Sequence, residues 1–347
     1  MLGEQMFRNT LAIGCVGIGV LGGTAASAAE DTITLRMAGF LPPTYNMVEH
    51  GSHVFMDKVT ELTDGRVQWE YYPAQQIGKA TEMVQLLENG VADIAEVSPT
   101  FHGDKLPLSG LIELPGLVQD ACDTAAAFHA VGDVGGVVYD ADFAPIGIRP
   151  LSYFMMPGFS IHSRDPIRAL ADFKGKKLRP TGGVQEMSLD KLDAVGIKIP
   201  GIESFNSLTR GTIDGVMMSF FGAQDFELET ATDYSLTGYP MGAGAIFVMV
   251  SDKTFEALPA DVQAAMVDAG RYAEDNLCRY LDAQEAVSRD VFRASGSEIV
   301  EVSPEMRDAL DVALAPVAND WTAQVDGRGK PASEALAAYE AALRAGQ

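Results

Sequence analysis

The sequence predicts an α/β protein of two lobes, each built on a mostly parallel sheet, joined by hinge strands and braced by one long helix. Three observations carry that expectation. Residues 33 to 97 alternate strand and helix patterns as β-α-β-α-β, the signature of a sheet covered by helices. The alternation resumes with different spacing after residue 146. A single helical stripe, Pro259 to about Ala294, then runs without internal proline.

The elements follow in order. Ile33–Phe40 reads as a first strand, and Pro42–Asn46 breaks it as a loop. Val48, Phe55, Val59 and Leu62 keep helical spacing up to Asp64-Gly65, a stop signal. Val67–Tyr72 alternates as a strand, Thr81–Glu88 is a short helix, and Val91–Val97 is a third strand. Later strands are expected at Ile146–Tyr153, Gly158–His162, Lys177–Pro180, Gly196–Pro200, Thr212–Met218 and Ala245–Val250, with helices at Gln185–Val195 and Ser204–Arg210. At 1.5 Å per residue the long helix would span about 50 Å, more than one small lobe, so it should brace both; a kink at Gly270, its only glycine, is the alternative. Helices near Pro304–Leu314 and Ala332–Ala345 finish the chain. The expected division is 30–153 plus 241–278 for lobe I and 154–240 plus 279–347 for lobe II.

Residues 1–29 have the layout of a secretory signal peptide. Arg8 precedes the uncharged run Leu11–Gly23, and Ala26-Ser27-Ala28 fits a small-x-small cleavage site. The run is shorter than the roughly 20 residues of a membrane span. A retained anchor or lipidation at Cys15 are the alternatives. A GxGxxG match, Gly17–Gly22, falls inside this leader and lacks the strand–helix context of a dinucleotide site.

The formal net charge is −23. Such a chain has no basic face for nucleic acid, and an anionic ligand would need a local cation to hold it. Cys122 and Cys278 stand far apart with no metal-ligand spacing. Two separate buried thiols are expected, although an oxidising compartment would permit a disulfide. GxSxG, HExxH and CxxC are absent. His50 and His53 share a helix face without further evident ligands, and Asp93, Asp214 and Asp225 would form a carboxylate pair only by coincidence of folding. No enzyme activity, metal or cofactor is expected.

Five segments resemble one family in its order: LPPTYNM at Leu41–Met47, Tyr72–Pro99, Ala169–Gly182, Glu203–Val216 and Ser251–Gln263. They resemble the solute receptors of TRAP transporters, the DctP-like family. The resemblance implies a periplasmic receptor that closes two lobes around a small organic anion and hands it to a TRAP membrane permease, with no covalent chemistry. A monomer is expected. A ligand sensor for a signalling partner, or a periplasmic enzyme, is the alternative.

The resemblance also makes Arg179, in ALADFKGKKLRPTG, the carboxylate clamp. A guanidinium fork matches two carboxylate oxygens. The bland reading is a basic surface cluster with Lys174, Lys176 and Lys177. Where many relatives have a second arginine this chain has Gly158–Ser163, putting Ser160 or Ile161 in its place. Where they have an acidic or amide residue and proline after Asp214-Gly215, it has Val216–Gln224, putting Ser219, Phe220 and Phe221 near the cleft. The expected ligand therefore has one anionic head and an apolar or aromatic body, with Phe220 and Phe221 as hinge packing the alternative. Loop position adds Tyr45, Asn46, Gln76, Ser98 and Thr100 as candidates to orient it.

Overall fold

A computed structural model describes residues 32–118 and 120–346; the expected leader lies outside them. The described chain holds two sheets. The first contains β1 (Ile33–Ala38), β2 (Val67–Tyr72), β3 (Ile94–Val97), β4 (Ile148–Met155) and β10 (Ala245–Ser251), in the order β2-β1-β3-β10-β4. The second contains β5 (Ser160–Ser163), β6 (Lys177–Arg179), β7 (Val195–Gly196), β8 (Gly215–Met218), β9 (Tyr234–Thr237) and β11 (Glu298–Glu301), in the order β11-β9-β5-β8-β6-β7.

Each sheet runs in one direction except for a single strand, and the exceptions have one cause. β10 pairs antiparallel with both β3 and β4, and β5 pairs antiparallel with both β8 and β9. Both are arriving strands. The chain leaves the first sheet at β4 and enters the second as β5; it leaves the second at β9 and returns as β10. The two crossings are tied side by side: Met156 N donates to Gly244 O (3.0 Å), Phe159 N to Gly242 O (2.8 Å) and Met241 N to Phe159 O (3.0 Å). Gly242 has φ +79, and a Cβ there would lie 2.2 Å from Glu113 O, so only glycine fits. These crossings are the expected hinge strands.

The helices are α1 (His53–Leu62), α2 (Met83–Glu88), α3 (Ala121–Gly132), α4 (Gly183–Lys191), α5 (Ser204–Thr209), α6 (Phe220–Asp225), α7 (Asp252–Ala257), α8 (Ala260–Ala294), α9 (Pro304–Asp326) and α10 (Ala332–Gly346). A π-helical turn at Val48–Ser52 leads into α1. The long helix α8 packs on α1, α3 and β4 at one end and on α6 and β11 at the other, so it braces both sheets as expected. Gly270 serves close approach rather than a kink. α8 is continuous through it, and a Cβ there would stand 1.9 Å from Leu151 O.

Acidic side chains on α8 fasten the neighbouring elements. Glu274 accepts from Tyr153 N (2.7 Å). Asp282 accepts from Ala121 N (2.7 Å) and Cys122 N (3.2 Å) at the start of α3. Glu285 accepts from Phe220 N (2.9 Å) and Phe221 N (3.0 Å) at the start of α6. Each carboxylate meets helix or strand N–H groups that would otherwise lack partners.

Three expectations are corrected. Cys122 and Cys278 are not separate thiols: they form a disulfide with Cα atoms 4.9 Å apart, because α3 lies directly against α8. Residues 332–346, expected with lobe II, pack as α10 on α3 beside the first sheet, burying Ala332, Ala335 and Tyr339. The helix expected to end near Leu314 runs through Pro316 to Asp326. Proline inside a helix costs about 3 kcal/mol, and burial of Val317, Trp321 and Val325 beyond it opposes that cost.

Candidate functional site

Arg179 closes the short strand β6, whose neighbour β8 runs parallel to it with Arg179 opposite Val216. Pro180 stops the ladder there. The side chain is only 4% exposed. Its Nε donates to Ile199 O (3.1 Å) and one amino group, Nη1, to Thr181 Oγ1 (3.2 Å). These bonds fix the fork and leave Nη2 for a ligand. Burial alone pulls the group down to about 10, so it stays charged at neutral pH. Among the described residues no carboxylate forms an ion pair with it. A buried, oriented guanidinium without a counter-charge is costly to maintain, and an incoming carboxylate would offset that cost.

Arg179 opens on a cavity of about 120 Å³ between the two sheets. Its walls come from the carboxyl ends of parallel strands, where open α/β sheets bind ligands. The segment after β1 supplies Phe40, Leu41, Tyr45 and Met47; that after β3 supplies Ser98 and Phe101. Across from them stand Arg179 and Thr181 after β6, and Phe221, Asp225 and Phe226 after β8. The hinge contributes Met156, Phe159 and the Gly244–Ile246 backbone. Phe40 and Phe101 meet edge to face (6.1 Å), as do Tyr45 and Phe226 (5.6 Å).

Two polar networks hold the walls. Glu96 on β3 is fully buried and accepts from Ser52 Oγ (2.6 Å), Tyr71 Oη (3.2 Å) and Phe40 N (3.3 Å). Burial pushes its carboxyl up to about 7 against those hydrogen bonds. Gly39 makes room, since a Cβ there would fall 2.8 Å from Tyr71 Oη. The second network crosses the cavity mouth. Tyr280 on α8 donates to Asn46 Oδ1 (2.7 Å), and Asn46 Nδ2 donates to Asp225 Oδ1 (2.6 Å). Burial raises Asp225 to about 6.

The ten residues singled out from the sequence separate clearly. Arg179, Tyr45, Ser98 and Phe221 line the cavity. Asn46 stands at its edge through Asp225. Thr100 bonds Ser98 (2.9 Å) but faces a different, open cleft. Gln76 is an exposed turn residue. Ser160 is buried against Thr237 (3.2 Å). Ser219 caps α6 through Gly222 N (3.3 Å). Phe220 is fully buried against His162 and Phe292, with ring centroids 4.8 and 5.3 Å away. Adjacent helical residues point about 100° apart, which is why Phe221 reaches the cavity and Phe220 does not.

Sequence reasoning missed Phe40, Phe101, Phe159, Phe226 and, above all, Asp225. Position after a strand end was a usable signal for Phe40 and Phe101. Nothing local marks Asp225, which closes the short helix α6.

The open cleft that Thr100 faces is larger, about 340 Å³, and carries Glu113, Glu186, Lys198, Trp321 and Arg328. Its cations are engaged: Lys198 pairs with Glu186, and Arg328 donates to Gly103 O and Asp104 O. Among the described residues no cluster of three or more His, Cys, Asp or Glu could hold a metal ion. No described helix is long and apolar enough to cross a membrane.

Known proteins match this architecture over nearly its whole length. A solute-binding protein of Roseobacter denitrificans is 24% identical over 90% of this chain and 94% of its own. A TRAP solute-binding protein from Rhodoferax ferrireducens, crystallised with copurified benzoate, superposes with a TM-score of 0.80 at 22% identity, covering 90% of this chain and 98% of that one. A marine-metagenome TRAP solute-binding protein in complex with 3-hydroxybenzoate gives 0.81 at 20% identity, covering 91% and 99%. The profile of the DctP family, bacterial extracellular solute-binding proteins of family 7, matches residues 37–324. The chain belongs to that family of solute receptors.

Proposed function

We propose that the cavity captures a compact monocarboxylic acid with an apolar body of about one ring, and that the receptor delivers it to a TRAP membrane permease in the periplasm. The observation that carries this reading is the buried Arg179, without a counter-charge among the described residues, at one end of an otherwise mostly apolar cavity. The carboxylate takes the free face of the guanidinium, and the aromatic side chains cover the body. Size limits the choice. A cavity of about 150 Å³ accepts a benzene ring, and about 120 Å³ is of that order. Two relatives of known structure carry benzoate and 3-hydroxybenzoate, ligands of that size and charge. A single clamp arginine suits a monocarboxylate better than a dicarboxylate.

Capture requires opening. In this reading β1–β4, β10, α3 and α10 move as one lobe and β5–β9 with β11 as the other. The hinge crossings and α8 flex between them. The protein is a binding protein, not an enzyme, and the monomer suffices because both walls come from one chain. A thermal-shift screen of mono- and dicarboxylates, followed by small-angle scattering, tests the proposal. Monocarboxylates of one ring should stabilise the protein by mass action and shrink its radius of gyration. Stabilisation by dicarboxylates alone, or identical scattering with saturating ligand, would refute it.

A further inference from the structure

The cavity carries a second charged group that the carboxylate clamp does not use. Asp225 lines it from α6, beside Phe221, Phe226 and Met218. Among the described residues no ion pair joins Asp225 to Arg179; the partner of Asp225 is Asn46, and those of Arg179 are Ile199 O and Thr181.

The hydrogen bonds of Asp225 are half complete. Tyr280 donates to Asn46 Oδ1, which fixes the amide so that Nδ2 faces Asp225. Oδ1 of Asp225 is thereby occupied. Among the described residues no donor reaches Oδ2. Asp225 is half-buried and lines the cavity, so a ligand that covers Oδ2 takes it out of water, and a carboxylate oxygen so covered calls for a donor.

We propose that Asp225 is a specificity-determining residue: it accepts a hydrogen bond from the ligand, so the natural solute is a compact carboxylic acid bearing an O–H or N–H group on its body. This rests on the Arg179 reading above and deepens it. A ligand without the donor would bury Oδ2 unsatisfied. Sites built to hydrogen-bond a group reject the analogue lacking it far more strongly than apolar pockets reject an extra group. Two fixed contacts, one to the carboxylate and one to the donor, also set which way round the solute lies.

Calorimetry with two matched pairs of acids tests the assignment. Benzoate and 3-hydroxybenzoate differ by an O–H; cyclopentanecarboxylate and pyroglutamate differ by a ring N–H and its carbonyl. In the wild type the donor-bearing member of at least one pair should bind tenfold or more tighter than its partner, and which pair does so separates O–H from N–H recognition. Asp225→Asn should bring that ratio within about threefold. Asn46→Ala keeps the carboxylate, so all affinities should fall and the ratio persist; this variant decides the matter if Asp225→Asn does not fold. Equal binding within both pairs in the wild type, a ratio that survives Asp225→Asn, or a ratio lost in Asn46→Ala would overturn the role of Asp225 and leave the Arg179 clamp standing. If none of the four acids binds, the clamp reading itself fails, and this one with it.

Discussion

The two walls of the cavity are chemically opposite. The wall built after β1 and β3 presents Phe40, Leu41, Met47 and Phe101 and no ionised side chain. The wall built after β6 and β8 presents Arg179 and Asp225. Apolar surface contributes roughly 25 cal/mol per Å² without direction, so in the proposed reading the first wall would supply affinity and shape. Charged hydrogen-bonding groups are directional, so the second wall would supply orientation. The same reading would let a chain of net charge −23 hold an anion. The Debye length at physiological salt is about 8 Å, so distant acids are screened while an enclosed guanidinium is not.

Removing the clamp should give the largest effect. Arg179→Ala should weaken binding of a monocarboxylate a hundredfold or more, in line with the ~2–5 kcal/mol lost when a buried charge pair loses one member. Arg179→Lys should recover only part, since an ammonium lacks the fork. Calorimetric affinities within threefold of the wild type would show that the second wall does not orient the ligand through Arg179.

The next effect separates stability from binding. The disulfide ties α3 to α8 on the side of the apolar wall. Its sequence separation of 156 residues encloses a long loop, and such cross-links typically stabilise by about 2–4 kcal/mol. The Cys122→Ser, Cys278→Ser double variant should unfold at lower denaturant by that amount with ligand affinity unchanged at 25 °C. A comparable loss of affinity would mean that the disulfide shapes the cavity. Smaller still, Phe101→Ala should cost about tenfold (~1.4 kcal/mol) for a ring-bearing acid and little for acetate. Equal losses for both would blur the distinction between the walls.

The place of Arg179 at a strand end was legible in the sequence because it sits in a short signature, and the long helix because its apolar stripe recurs without a proline. The stripe was imperfect: Tyr272 and Val287 are about half exposed (52% each), while Gly270, Glu274 and Cys278 are buried. Other features depend on contacts between remote segments. The disulfide needed α3 beside α8, and α3 itself, an alanine-rich helix with weak amphipathicity, gave no strong periodic signal. Phe220 and Phe221 were indistinguishable until the phase of α6 was known. Asp225 is chemically ordinary until Asn46, distant in sequence, meets it across the mouth.

The smallest prediction concerns the seam between the walls. Glu113, from the segment between β3 and α3, reaches the start of α4 and accepts from Val184 N (3.0 Å). It is 3% exposed, and Gly182 leaves it room, since a Cβ there would collide with the carboxylate at 2.1 Å. Burial pushes Glu113 from 4.5 up to about 7, against the pull of the α4 backbone and Lys198. Between these values the folded state holds more protons than the unfolded chain, so the stability slope with pH is negative. The contribution is fully present below about pH 4.5 and is lost as pH rises through about 7. Glu96 works in the same window, so each accounts for only a share. Glu113→Gln keeps an acceptor for Val184 N and removes the titration. Its melting temperature should therefore fall less than that of the wild type between pH 5 and 7.5. An identical fall would mean that the ionised Glu113 is as well served by the helix start as by water. The seam would then be a helix cap, with no pH dependence of its own.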